Sequence, residues 1–224
     1  MLFGKIDYLN LLPFHVFLKR YPLSNQAKKS IEFKKGTPAK LCQALNKRQI
    51  DAAIISSIES RNPKYTKLNL GICSKGAVKS VLVRKNSKKK LDPASKSSNM
   101  LSKILKLDGE VIIGDEALRQ YLKDGGDKFY DMGEIWHQKT GLPFVFGLFC
   151  CNKNQNLYKK IINQFLKQKI KIPKYILNEY AKSRNISPSL ILWYLEHISY
   201  SVNTKEKRAL KKFIHLAKKH NFQP

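Results

Sequence analysis

The chain has 224 residues, 42% of them hydrophobic, which is enough to bury a core without cross-links and too apolar for a disordered chain. Lys and Arg number 43 against 16 Asp and Glu, a formal charge of +27, yet no apolar run approaches the ~18 residues that a membrane span needs. Cys150 and Cys151 are adjacent while Cys42 and Cys73 stand alone, so the four cysteines lack metal-ligand spacing and read as reduced, buried thiols.

The first two-thirds of the chain alternate short apolar strands with helical stretches, the pattern of an α/β fold. Lys5–Tyr8 is expected to form the first strand and Pro13–Lys19 a helix. Thr37 caps a further helix, with Pro38 at its first position and Leu41, Ala44 and Leu45 as its apolar stripe. Asp51–Ile55 predicts a fully buried strand ending at Ser56 and Ser57, and Ser80–Val83 predicts another. Ser98 opens a helix bearing Leu101, Ile104 and Leu105. Val111–Ile113 is a strand that ends at Gly114 and Asp115, before a helix with Leu118, Tyr121 and Leu122. Pro143–Gly147 is the last strong strand. From Leu157 onward the period turns helical. Leu157, Ile161, Ile162, Phe165 and Leu166 share one face, Ser187-Pro188 starts another helix, and Asn203 with Glu206 forms a capping box for the last.

This order predicts two lobes and a helical C-terminal tail. Residues 1–79 with 149–224 form one lobe and 80–148 the other, Ser80–Val83 and Pro143–Gly147 being the crossing strands. Strand ends and helix starts would face a central cleft, where helix N-termini suit carboxylates. The positive charge is mostly lysine, with dense runs only at Lys85–Lys90 and Lys205–Lys212. Neither run interleaves aromatics with arginine as a stacking platform does, so solvated lysine faces are the plainer reading and neither nucleic acid nor membrane is an expected partner. The start lacks a basic leader, and a cytoplasmic location is expected.

Several segments, in order, resemble the menaquinone-biosynthetic chorismate dehydratase family: Ile6-Asp-Tyr-Leu-Asn10 with Pro13-Phe14, Asp51 through Glu59, Gly76–Val81, the serines 95, 97 and 98, Ile113–Leu118, Asp131–Trp136 and Thr140–Phe146. The resemblance is strong from Ile6 to Phe149 and weaker in the tail. It implies a type II periplasmic-binding-protein-like fold used as an enzyme. The implied substrate is the dianion chorismate, and the implied reaction its loss of water to 3-[(1-carboxyvinyl)oxy]benzoate in the futalosine route, without metal or organic cofactor. The protein would act as a monomer or homodimer.

Asn10 and Ser80 match the family's functional asparagine and serine. An amide donates and accepts and a hydroxyl does both, so neutral groups can serve the chemistry. Read alone, Asn10 is equally an Asx turn before a helix, and Ser80 an inert serine at a strand start. No histidine near Ser80 in the sequence suggests an activating base, so it is a poor nucleophile. Ser56, Ser57, Ser97, Ser98, Gly114 and Asp115 are candidate substrate-binding residues at cleft-facing turns. Turn and cap chemistry is their plainer role, and capping is the stronger reading of Asp115. His15 reads as a surface histidine of its helix, Trp136, Phe144 and Phe146 as core, and Lys79 as either solvated or brushing an anion. Two rivals remain: a non-catalytic binding protein or 1,4-dihydroxy-6-naphthoate synthase on the same fold, and a nucleic-acid binder using Ala181–Tyr194 as a helix-turn-helix.

Overall fold

The computed structural model describes residues 1–220. The elements run β1 (Phe3–Gly4), α1 (Leu12–Arg20), α2 (Asn25–Phe33), α3 (Pro38–Asn46), β2 (Ala52–Ser56), β3 (Thr66–Ser74) and β4 (Val81–Arg84). They continue with α4 (Lys96–Leu105), β5 (Glu110–Ile113), α5 (Gly114–Asp124), β6 (Phe129–Asp131), α6 (Met132–Thr140) and β7 (Phe144–Cys151). The tail comprises α7 (Gln155–Leu166), α8 (Lys174–Arg184), α9 (Pro188–Leu195), β8 (Ser199–Ser201) and α10 (Thr204–Lys219).

Two sheets organise them. The larger has the order β1-β2-β7-β3-β8, with only β1 and β2 parallel; the smaller has the order β5-β4-β6 and is antiparallel throughout. Every residue of β2 and β7 is buried, as their unbroken apolar runs require, and α3 packs on β2 while α10 packs on β7. Ser74 at the end of β3 is paired with Phe144 at the start of β7. The chain therefore leaves the larger sheet and returns to it side by side, and the smaller sheet hangs on that double passage.

Several expectations need correction. Pro143–Gly147, expected as a crossing strand, runs into β7, the central strand of the larger sheet. The first strand lies at Phe3–Gly4, and the segment after it closes into a 3-10 turn over Leu9–Leu11 that sets Asn10 apart from any ladder. The serine that caps α4 is Ser95, whose hydroxyl accepts from Ser98 N, so the helix begins two residues before Ser98. The other caps stand where the sequence places them. Thr37 accepts from Lys40 N, Ser187 from Leu190 N, and Asn203 with Glu206 closes both halves of its box; each such cap is worth about 1 kcal/mol. The helices α8 and α9 do form a pair joined by a short turn, but α9 turns Ile191 and Tyr194 into the core. Among the described residues no helix is long and apolar enough to cross a membrane.

Candidate active site

Residues from both sheets line one cleft. Ile54, Ile72 and Phe146 come from the larger sheet, and Val81 and Ile113 from the smaller. Its polar lining is Tyr8, Asn10, Ser56, Ser80, Ser95 and Ser98, and no Lys, Arg, His, Asp or Glu lines it. On a chain of charge +27 this cleft is lined by no charged side chain.

Asn10 sits in the 3-10 turn and is 8% exposed. The Asp7–Asn10 segment that carries it is pinned from three sides. Leu9 N donates to Asp115 Oδ1 at 2.8 Å, Arg184 donates to Asp7 O at 2.9 Å, and Tyr200 OH donates to Asn10 O at 2.7 Å. The side-chain oxygen Asn10 Oδ1 is buried and has no hydrogen-bond partner within the described protein; Ser56 Oγ, on the same wall, is in the same condition. Buried polar atoms are nearly always paired, so two orphans on residues that line one cleft point to a polar ligand there.

Ser80 is buried just before β4, and its hydroxyl shares a 2.8 Å hydrogen bond with Tyr194 OH of α9. Burial pushes the Tyr194 phenol up, and its hydrogen-bonded neighbours, the Ser80 and Asn10 side chains, pull the other way. One tyrosine of the tail thus touches both residues of the expected catalytic pair.

The remaining candidates divide. Ser98 lines the cleft, with its hydroxyl 2.9 Å from that of Ser95, at the N-terminus of α4. Ser57 and Ser97 do not line it. Their hydroxyls lie 3.1 Å apart, Ser97 Oγ also accepts from Ile58 N, and both side chains brace the wall from behind. Gly114 lines the cleft at the start of α5, but its N–H is spent on Ser80 O at 2.8 Å. Its φ of +69° and the Tyr8 ring 3.1 Å from where a Cβ would stand both require glycine. Asp115 is a clasp rather than a ligand-facing group. It holds Leu9 N and pairs with Arg184 Nε at 3.2 Å, and desolvation still leaves its carboxyl above the usual range.

Lys79 adopts φ +61° and sends its ammonium to Tyr121 OH at 3.0 Å, away from the cleft lining. His15 is not on the surface: it is 4% exposed, and neither ring nitrogen has a partner. Trp136 is core, donating to Pro143 O, and Phe144 packs edge-on against it; Phe146 also reaches the cleft. Sequence reasoning missed Ser95, Tyr8 and Tyr194. The Ser95-x-x-Ser98 spacing is a capping signature that places both at a helix start. Tyr8 stands two residues before Asn10, and burial first, then Asp92 and Asp115, pushes its phenol up to about 12, so it stays a donor. Nothing in the local sequence announces Tyr194.

Chemically, the cleft offers hydroxyl and amide groups and the N-terminal ends of α4 and α5, whose partial positive charge favours anions without a charged side chain. Among the described residues no group of three or more His, Cys, Asp or Glu stands together as metal ligands do.

Comparison with known proteins agrees with this geometry. A family model described as menaquinone biosynthesis matches residues 1–107 and 95–219, so the likeness runs through the tail as well. A chorismate dehydratase of Campylobacter jejuni subsp. jejuni (strain 81-176) is 54% identical over 219 residues, 97% of this chain and 98% of that protein. Among solved structures, protein AF1704 of Archaeoglobus fulgidus has a TM-score of 0.69 at 14% identity, covering 98% of this chain and 97% of its own. The periplasmic aliphatic sulphonate binding protein SsuA of Escherichia coli has a TM-score of 0.57 at 14% identity, covering 99% of this chain and 88% of its own. These two show the fold, which is that of the periplasmic-binding-protein-like proteins. By sequence, along nearly its whole length, the chain belongs to the menaquinone biosynthesis family.

Proposed function

We propose that the protein is a chorismate dehydratase, converting chorismate to 3-[(1-carboxyvinyl)oxy]benzoate and water in the futalosine route to menaquinone. The observation that carries the reading is the uncharged cleft with the unpaired Asn10 Oδ1 and Ser56 Oγ beside Ser80, in a chain 54% identical to a chorismate dehydratase. Chorismate brings two carboxylates, a ring C3–H and a 4-hydroxyl. The C3–H bond breaks, its electron pair forms the new ring double bond, and the C4–O bond breaks with the hydroxyl leaving as water. The ring becomes aromatic, which supplies the driving force. The protein then has to hold a dianion, stabilise charge as the C–H bond breaks and help the hydroxyl depart.

Neutral donors suit each task. The helix start at Ser95–Ser98 meets a carboxylate, Ser56 adds a hydroxyl, and Asn10 and Ser80 orient the ring and the departing oxygen. One well-placed donor is typically worth about 10²–10³ in rate. A carboxylate of the substrate itself serves as the base, since no ionisable carboxylate or imidazole lines the cleft. The surplus of basic residues steers the dianion toward the protein from a distance.

Two lobes would close on the substrate about the double passage at Ser74 and Phe144, a reading supported by the pairing of those two residues. The test is incubation of the purified protein with chorismate. An aromatic ultraviolet product with the mass of chorismate less one water is expected. Folded protein that binds chorismate without turnover would reduce the reading to a binding protein, and unchanged chorismate with no binding would overturn it.

A further inference from the structure

Tyr194 lies on α9, 114 residues from Ser80 in sequence, yet its hydroxyl is fully buried and its hydrogen-bond partners are Ser80 and the side chain of Asn10. A buried phenol with no solvent access has to spend its proton on a protein acceptor. Ser80 Oγ at 2.8 Å is that acceptor by distance, and a phenol is a better hydrogen-bond donor than a serine hydroxyl. Each hydroxyl carries one proton. Once the phenol donates to Ser80 Oγ, the serine proton has no claim on it from Tyr194 and is free to point at the cleft that Ser80 lines.

We propose that Tyr194 is a positioning residue: it donates to Ser80 Oγ and so fixes the serine hydroxyl as a donor toward the substrate oxygen. The amide of Asn10, the phenol and the serine then form one polarised chain, in which each bond strengthens the next. Burial favours the neutral phenol, which keeps the donor in place. The placement also gives the tail a part in the reaction. The helix that resembles half of a helix-turn-helix is anchored at the cleft, with Tyr200 of β8 holding the Asn10 carbonyl from the same side.

The kinetic arm of the test rests on the dehydratase reading; the spectroscopic arm does not. Tyr194→Phe keeps the ring and removes only the hydroxyl. The expected result is a kcat about tenfold lower with KM within about twofold, because binding contacts remain and only the transition-state donor is loosened. In a Ser80→Ala background the same change should cost nothing further, since the group it positions is gone. A merely structural tyrosine gives losses that multiply.

The second arm follows the ζ-carbon resonance of Tyr194 in full-length protein carrying labelled tyrosine, assigned by its disappearance in Tyr194→Phe. Ser80→Ala should move that resonance and Ser57→Ala, behind the wall, should leave it in place. An unmoved resonance in Ser80→Ala, full kcat in Tyr194→Phe, or multiplying losses in the double variant each overturn the role. Should wild-type protein leave chorismate untouched, the dehydratase reading falls, while the resonance still decides whether Tyr194 and Ser80 are coupled.

Discussion

Ser56 and Ser57 are neighbours, as are Ser97 and Ser98, and in each pair one hydroxyl lines the cleft while the other turns its back on it. The cause is local geometry. Successive side chains at the end of β2 point to opposite faces, and successive residues in the first turn of α4 are rotated by about 100°. The outward members, Ser57 and Ser97, meet each other at 3.1 Å and are satisfied. The inward ones are not equivalent: Ser98 is tied to Ser95, whereas Ser56 has no protein partner at all. A motif therefore reports where a wall turns, and the pairing of each hydroxyl decides which side of that wall it serves.

The largest effects test the cleft side of this contrast. Ser80→Ala and Asn10→Ala should each lower kcat by about 10²–10³, the usual worth of a preorganised donor. If a substrate carboxylate is the base, neither change shifts the pH profile of kcat. A new acidic limb in Ser80→Ala would show instead that the protein supplies a titrating group. Next comes Ser56→Ala. Its hydroxyl makes no hydrogen bond among the described residues, so stability should be unchanged or slightly higher while KM rises about tenfold, the worth of one hydrogen bond to a charged group. Ser57→Ala should do the reverse. It breaks the buried hydrogen bond to Ser97 and costs about 1 kcal/mol on denaturant unfolding, with kcat and KM at wild-type values. A KM effect in Ser57→Ala equal to that in Ser56→Ala would erase the distinction between the two sides.

How much of this was legible depended on the distance over which each contact acts. The α/β alternation, the caps at Thr37, Ser187 and Asn203, and the site residues Asn10, Ser56, Ser80 and Ser98 stand in short segments whose own pattern marks them. β3 escapes notice because Lys67 and Asn69 break its apolar run on the exposed side and Gly71 interrupts it where β7 approaches closely. The strand at Pro143–Gly147 is legible as buried, but an unbroken apolar run does not say which sheet it joins. Tyr194 was invisible for the strongest reason. On α9 it reads as one more apolar-stripe residue, and only the fold brings its hydroxyl to Ser80.

His15 supplies the smallest and last contrast, a buried polar side chain that neither lines the cleft nor finds a protein partner. Desolvation, then the charges of Lys5, Lys35, Lys19 and Arg184, hold its pKa well below the usual 6.5, while Glu32 across the same small cavity is occupied by Lys5 and Lys35. The folded imidazole therefore stays neutral where the unfolded one takes up a proton. Its contribution to stability is fully present above pH 6.5 and is lost as pH falls from there toward the folded pKa, at up to about 1.4 kcal/mol per pH unit. His15→Leu removes both unpaired nitrogens and the titration, so it should match wild-type stability at pH 7.5 and lose less on going to pH 5.5. Denaturant unfolding at the two pH values measures the difference. An identical acid loss in both proteins would mean that His15 is charged in the fold after all, with a partner that the lysines around it do not provide. It would then be a site in its own right rather than a neutral piece of core.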